Sequence, residues 1–333
     1  MRSPAAVQAV LPEAIATTFL VAPKRILVAT DLTDGEFLIP HAVAQAKASG
    51  AEVTLIHAIL PAETMPVDPA TISYVDWERM EGDIETELLK LAHQIEQQGI
   101  RCHTVLAHGF AADVVEREIK SSHATRLIMA SHGRGKWGQL MMGSVANQLL
   151  GKVNIPVFVV GPRSTHCPQH ARPQRILHPV SLTGDYKRGV ELAIELARSF
   201  GAQLTLLHIP DRDVEASIHP GCTLTWAENL FAILIPEGVQ AASGVPIEVR
   251  VAFGNVIDEI RKEAARHCAD WIVLGVEEGF PFWPLKDSTA YKLIAVADCP
   301  VLAVRCHPSA QKQSAVESVA SLAANDALSR PVA

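Results

Sequence analysis

Arg25 to Ala58 reads RILVATDLTDGEFLIPHAVAQAKASGAEVTLIHA, and Arg175 to Ile209 reads RILHPVSLTGDYKRGVELAIELARSFGAQLTLLHI. Each stretch is a short apolar run, a polar turn, an amphipathic helical segment and a second apolar run. The helical segment closes at Ser49-Gly50 in one copy and at Phe200-Gly201 in the other, where glycine can adopt the left-handed cap conformation. An internal repeat of this length decides the architecture before any single element does.

The same alternation continues outward from both copies. Thr104 to Ala107 and Leu127 to Ala130 are short apolar runs separated by AADVVEREIKSS, in which Val114, Val115 and Ile119 share one helical face. Pro246 to Ala252 and Trp271 to Gly275 flank NVIDEIRKEAARH, where Val256, Ile257 and Ile260 do the same. Each copy then ends in a helix and a Pro-led strand, Ile155 to Val160 and Cys299 to Val304. Strands that are apolar on both faces and alternate with helices predict a buried parallel sheet. The expected fold is α/β: two tandem five-stranded parallel sheets with helices on both faces, Rossmann-like.

Residues 1–22 read as an N-terminal extension, 23–162 as the first domain, 163–173 as a linker, 174–307 as the second domain and 308–333 as a tail expected to be mobile. The segment Ile59 to Val75 carries Pro61, Pro66 and Pro69, a long loop placed to cover a site or a partner.

The chain has 333 residues, long enough for two domains. Its 29 Lys and Arg against 36 Asp and Glu give a net charge of −7 without basic blocks, which disfavours nucleic acid as a partner. No apolar run reaches the 18 or so residues of a membrane span. Six scattered cysteines without a CxxC pair fit reduced thiols, and Pro12 and Glu13 spoil the segment Met1 to Leu20 as a signal peptide. The expected compartment is the cytoplasm, with neither nucleic acid nor membrane as partner.

Ligands of open parallel sheets settle at the carboxyl ends of the strands. Asp31 ends the first strand and can accept hydrogen bonds from a ribose or a base edge. It can equally cap its own turn with Thr33. After the fourth strand, Gly133, Gly135 and Gly138 are followed by Gly143-Ser144 and the helical segment VANQLLGK. Glycines let phosphate oxygens approach the backbone, the helix start supplies N–H groups and a positive dipole end, and Arg134 and Lys136 add charge. The plainer reading is a loop followed by a Ser cap.

With those residues in view, the sequence resembles the universal stress protein family over roughly Lys24 to Val160 and Arg175 to Arg305. In nucleotide-binding members the fourth strand is followed by Gly, two residues, Gly, nine residues, then Gly-Ser or Gly-Thr. Here Gly133, the nine residues Arg134 to Met142, and Gly143-Ser144 keep that spacing, while Ala130 stands where the first glycine belongs. The resemblance implies that Asp31 and Ala58 line an adenine and ribose pocket. It places Met129, Ala130, Gly133, Arg134, Gly143, Ser144 and Val145 around the nucleotide and its phosphates. The implied cofactor is ATP, with or without Mg. Were Ala130 to need a positive φ, its Cβ would cost on the order of 1 kcal/mol, about tenfold in affinity.

The second copy departs from this pattern. Ser181 replaces Asp31, Asp287 falls at the place of Gly143, and Glu277, Glu278, Phe280, Phe282, Trp283 and Pro284 put negative charge and apolar bulk where phosphates would lie. This half is expected to keep the fold and lose the ligand.

His57 and His208 recur near the ends of the second strands and read as satisfied structural histidines, since no second ligand stands at metal spacing. His166, Cys167 and His170 in the linker lack a partner cluster, so no metal site is expected. No nucleophile elbow, Walker lysine or HExxH occurs, and binding is favoured over dedicated catalysis. The expected function is an ATP-binding stress-response module acting through the N-terminal domain. The alternatives are a ligand-free interaction module, or a slow ATP hydrolase. In the interaction reading, Ile155–Val160 and Pro300–Arg305 pair edge to edge, between the halves or between chains, giving an intramolecular pseudo-dimer or a homodimer.

Overall fold

The computed structural model describes residues 22–60, 77–131, 142–161, 163–164, 172–181, 186–210, 244–277 and 288–306. Strand β1 (Arg25–Ala29) shows why the sheet is central: Ile26, Leu27 and Val28 are all buried although consecutive side chains point to opposite faces. It pairs in parallel with β2 (Glu52–Ile59) on one side and with β4 (Arg126–Ala130) on the other.

Helix α1 (Gly35–Ser49) crosses between β1 and β2. Pro40 inside it removes a backbone donor at a cost of about 3 kcal/mol, which the buried stripe of Leu38, Ile39, Ala42 and Ala46 offsets. Gly50 ends the helix at φ 66° with its N–H on the Ala46 carbonyl, and Gly201 has the same φ in the second copy, as the repeat predicts.

The first half continues with α2 (Trp77–Glu96), β3 (Cys102–His108), α3 (Ala111–Ser121), β4, α4 (Ser144–Lys152) and β5 (Val157–Val160). The second half holds β6 (Arg175–Val180), α5 (Tyr186–Phe200), β7 (Gln203–His208), β8 (Ile247–Val251), α6 (Val256–Arg266), β9 (Trp271–Glu277), α7 (Thr289–Val296) and β10 (Val301–Cys306). The strand order is β3-β2-β1-β4-β5-β10-β9-β6-β7-β8, a palindrome of the repeat.

The two sets of five strands are therefore one ten-stranded sheet rather than two separate ones. All pairings are parallel except at the centre, where β10 runs antiparallel to β5 with Leu302 opposite Phe158. The closing strands pair edge to edge between the halves. Because β5 also pairs with β4 and β10 with β9, both edges of each closing strand are occupied within the chain.

Each sheet face carries one continuous core across that junction. One face joins α1, α2 and α5 through Phe158, Leu302 and Trp271, and the other joins α3, α4, α6 and α7 through Val157, Val159, Val301 and Ala303. On the first face, His41, Phe158, Trp271 and Phe200 form a chain of ring contacts at 5.2, 4.8 and 4.9 Å. The two edge-on pairs, Phe158–Trp271 and Phe200–Trp271, add about 0.5–1.5 kcal/mol each to plain burial.

The halves match in detail. Thr125 Oγ1 accepts from the Lys24 and Arg25 amides at the start of β1, and Asp270 Oδ2 accepts from the Gln174 and Arg175 amides at the start of β6. His57 Nδ1 lies 2.9 Å from the Thr30 carbonyl, and His208 Nδ1 lies 2.9 Å from the Val180 carbonyl. Both recurring histidines thus tie the second strand to the end of the first. Cys102, Cys268 and Cys299 are free thiols, and burial pushes Cys102 up to about 12. No helix among the described residues is long and apolar enough to cross a membrane, and no cluster of metal-ligating side chains occurs among them.

Candidate functional site

Strand order reverses at β1, since β2 lies to one side and β4 to the other, and the carboxyl ends of β1 and β4 form the switch point where ligands of open parallel sheets settle. Three segments border it: the turn after β1, the end of β4, and the start of α4.

The turn after β1 is held by side chains. Asp31 Oδ1 accepts from the Thr33 amide at 2.9 Å and from the Thr33 hydroxyl at 2.6 Å, so the local capping geometry expected of Asp31 is present. Thr30 Oγ1 donates to Asp34 Oδ1 at 2.5 Å and accepts from the Leu32 amide at 2.9 Å. This clasp holds Leu32 at φ 71°, a left-handed conformation that costs a branched L-residue roughly 1–2 kcal/mol. Burial raises the Asp34 carboxyl to about 7, against the pull of the Thr30 hydrogen bond and with a further push from the Asp31 charge.

Beside it, β4 ends at Ala130. Ala130 is not among the residues with positive φ; it closes an extended strand, so its Cβ carries no backbone penalty. Met129 is buried in the core under α3 and α4, which leaves its backbone as its means of touching a ligand. Ala58 lies on β2, half-buried and opposite Ala107 of β3.

The start of α4 is tied to the end of β4 by the Gly143 amide, which donates to the Ser131 carbonyl at 2.7 Å. Gly143 is the N-cap residue and makes no side-chain cap, and the Asn147 amide closes the first turn on the Gly143 carbonyl. Ser144 is therefore the first helical residue and not a cap. The amides of Ser144, Val145 and Ala146 precede the first intrahelical bond and point out of the helix end, where an anion is favoured. Ser144 and Val145 are exposed.

Asp31, Ala130, Gly143, Ser144 and Val145 thus come from the three segments at the carboxyl ends of β1 and β4, with Ala58 on the neighbouring strand. Gly133 and Arg134 lie outside the described residues, as do the loop Pro61 to Val75, the linker residues His166, Cys167 and His170, and Glu278, Phe280, Phe282, Trp283, Pro284 and Asp287 of the second half. Sequence reading passed over Thr30 and Asp34. The signal was there: a hydroxyl four residues before an acid, next to the one position of the copy that is Thr30 here and Val180 in the duplicate.

In the second half the corresponding helix closes its own end. Ser288 is the N-cap of α7, and its Oγ accepts from the Tyr291 amide at 3.1 Å. Val180 at the place of Thr30 has no hydroxyl with which to build the clasp.

The universal stress protein family model matches residues 23–161 and again 173–305. Universal stress protein MJ0531 of Methanocaldococcus jannaschii is 26% identical over 140 residues, 41% of this chain and 81% of that protein. A solved universal stress protein from Archaeoglobus fulgidus is 20% identical and matches 85% of this chain and 98% of its own, with a TM-score of 0.65. A solved universal stress protein in complex with cAMP is 17% identical and matches 42% of this chain and 98% of its own, with a TM-score of 0.33. With both halves matched by the family model, the chain belongs to the universal stress protein family, as two such domains in tandem.

Proposed function

We propose that the first domain, residues 23–162, binds an adenine nucleotide at the carboxyl ends of β1 and β4, and that the second domain, residues 174–307, does not. The observation that carries this reading is the start of α4, whose Gly143 N-cap brings no side-chain cap and is set against the end of β4 by the bond to Ser131, with β4 paired to β1, the strand that leads into the turn of Asp31. Phosphate oxygens are received by the amides of Ser144 and Val145, by the Ser144 hydroxyl and by Gly133, with Arg134 adding charge. Asp31, Ala58, Met129 and Ala130 border the adenine and ribose.

The nucleotide is ATP, with or without Mg, and the work of the protein is a stress response in which occupancy sets conformation. A ligand can shift such an equilibrium only by its differential affinity for two states. In this reading Asp31 and Ser144 are binding groups rather than a base and a nucleophile, so binding is the function and hydrolysis, if any, is slow.

Mass spectrometry of protein purified without added ligand, followed by ATP titration of the full chain, tests this. The expected result is co-purified adenine nucleotide or micromolar binding, abolished in Gly143→Asp and weakened in Asp31→Ala. Empty protein with no micromolar affinity for ATP would refute the proposal.

A further inference from the structure

The central junction is symmetric in its strands and asymmetric in what they present to the neighbouring helix. Val160 and Val304 are the corresponding last valines of β5 and β10, so Gly161 and Arg305 are counterparts. Arg305 reaches across to the first half, where its Nη2 donates to the Leu150 carbonyl at 3.0 Å and to the Gly151 carbonyl, both in the last turn of α4. At the mirror position Gly161 lies against the end of α7: a Cβ on it would stand 3.7 Å from the Ile294 carbonyl oxygen and 3.5 Å from that of Ala297. The helix end stands close by, but glycine has no side-chain donor to offer. By this contact the second half grips the backbone carbonyls of a first-half helix, whereas Arg163, two residues past Gly161, meets a side chain instead, the Asp298 carboxylate just beyond α7, at 3.4 Å.

Helix carbonyls of the last turn lack intrahelical partners, and a cation there also meets the negative end of the dipole. Arg305 meets both needs of α4, while Lys152 fastens the same end sideways to Asp113 of α3 at 2.9 Å. Helix α4 has nine residues, about 13 Å at 1.5 Å per residue, and so short a helix moves as one body. Fixing its last turn therefore fixes the amides at its first turn relative to Ser131 and Asp31.

We infer that Arg305 is a positioning residue for the phosphate end of the nucleotide site, so that the half without a ligand sets the geometry of the half with one. The inference rests on the nucleotide reading of α4. Its signature is selective. Arg305 acts through α4, which meets phosphate; Asp31 in the turn after β1 and Ala58 on β2 lie outside the grip and meet the nucleoside.

The test is calorimetric titration of the full chain with cAMP and with adenosine, for wild type, Arg305→Met and Arg305→Lys, with thermal unfolding of each. Loss of two charge-assisted hydrogen bonds on a positioning group is expected to weaken cAMP about tenfold in the Met variant and adenosine by less than about twofold. The Lys variant, which still donates to both carbonyls, is expected to recover to within about threefold. If the Met variant does not fold, Arg305→Gln provides the same comparison. Equal loss of both ligands, or unchanged affinity for both, overturns the inference alone. Wild type that binds neither ligand overturns the nucleotide reading and this inference with it.

Discussion

Helices α4 and α7 occupy corresponding places in the two halves and end differently at their N-termini. Helix α4 begins after Gly143, an N-cap residue with no side-chain cap to offer, whereas α7 begins after Ser288, whose hydroxyl takes the Tyr291 amide. An N-terminus that caps itself is finished; one that does not is held ready for an anion. The turns after β1 and β6 differ in the same sense, because Thr30 clasps Asp34 where the duplicate has Val180. The two halves share the sheet, the glycine caps and the strand-start bonds of Thr125 and Asp270, while the turns after β1 and β6 and the starts of α4 and α7 differ.

The largest way to break the comparison is to attack what the halves share. Trp271 is fully buried and touches both Phe158 of the first half and Phe200 of the second. Trp271→Ala is expected to cost about 3–5 kcal/mol, read by chemical denaturation, and to lower the stability of both halves together. Two separated transitions, with the first half unaffected, would show that the junction does not couple them.

Next is the clasp that only the first half owns. Asp34 is held near 7 in the folded protein against 3.8 as an ordinary carboxyl, so the folded state keeps a proton that the unfolded chain releases. The stability this group contributes is therefore undiminished below about pH 4, falls as pH rises through the window from about 4 to 7, and stays low above it. At about 1.4 kcal/mol per pKa unit, the fall is at most about 4 kcal/mol. Asp34→Asn, which cannot ionise, is expected to remove this slope and to be more stable than wild type at pH 8. An unchanged slope in denaturation curves taken across pH 4–8 would contradict the assignment.

Placing the second half's residue in the first is the next sharpest test. Gly143→Asp puts a carboxylate at the phosphate end of α4, and ATP affinity is expected to fall by about 100-fold or more, close to 3 kcal/mol. Retained binding by equilibrium dialysis would move the phosphates elsewhere. The smallest effects concern the two serines. Ser288→Ala removes a working cap and is expected to cost about 1 kcal/mol, while Ser144→Ala, at a helical position that caps nothing, stays within about 0.5 kcal/mol. Equal costs would erase the distinction between the two helix ends.

Much of this architecture was legible in residues. The repeat, the alternation of apolar runs and amphipathic segments, and Gly50 and Gly201 at the helix ends follow from periods and cap chemistry that act locally. Fusion into one sheet was legible only as an option, because Ile155–Val160 and Cys299–Val304 show closing strands but not which edge each meets. At the site, Asp31, Gly143 and Ser144 stood out through their spacing. Thr30 and Asp34 did not, since a buried acid sharing a hydroxyl looks in sequence like any turn acid. The plainer alternative, Ser144 as a cap, does not hold, since the helix starts one residue earlier than that alternative requires. Arg305 was invisible for a plainer reason: its partners, Leu150 and Gly151, are backbone carbonyls 155 and 154 residues away.

The asymmetry of the halves is tested most directly by the number of nucleotides each chain holds. Isothermal titration of the full-length protein with ATP is predicted to give a single site per chain, lost in Gly143→Asp and retained in a variant altered at Ser288. Two equivalent sites per chain, or one site that survives Gly143→Asp, would contradict the account.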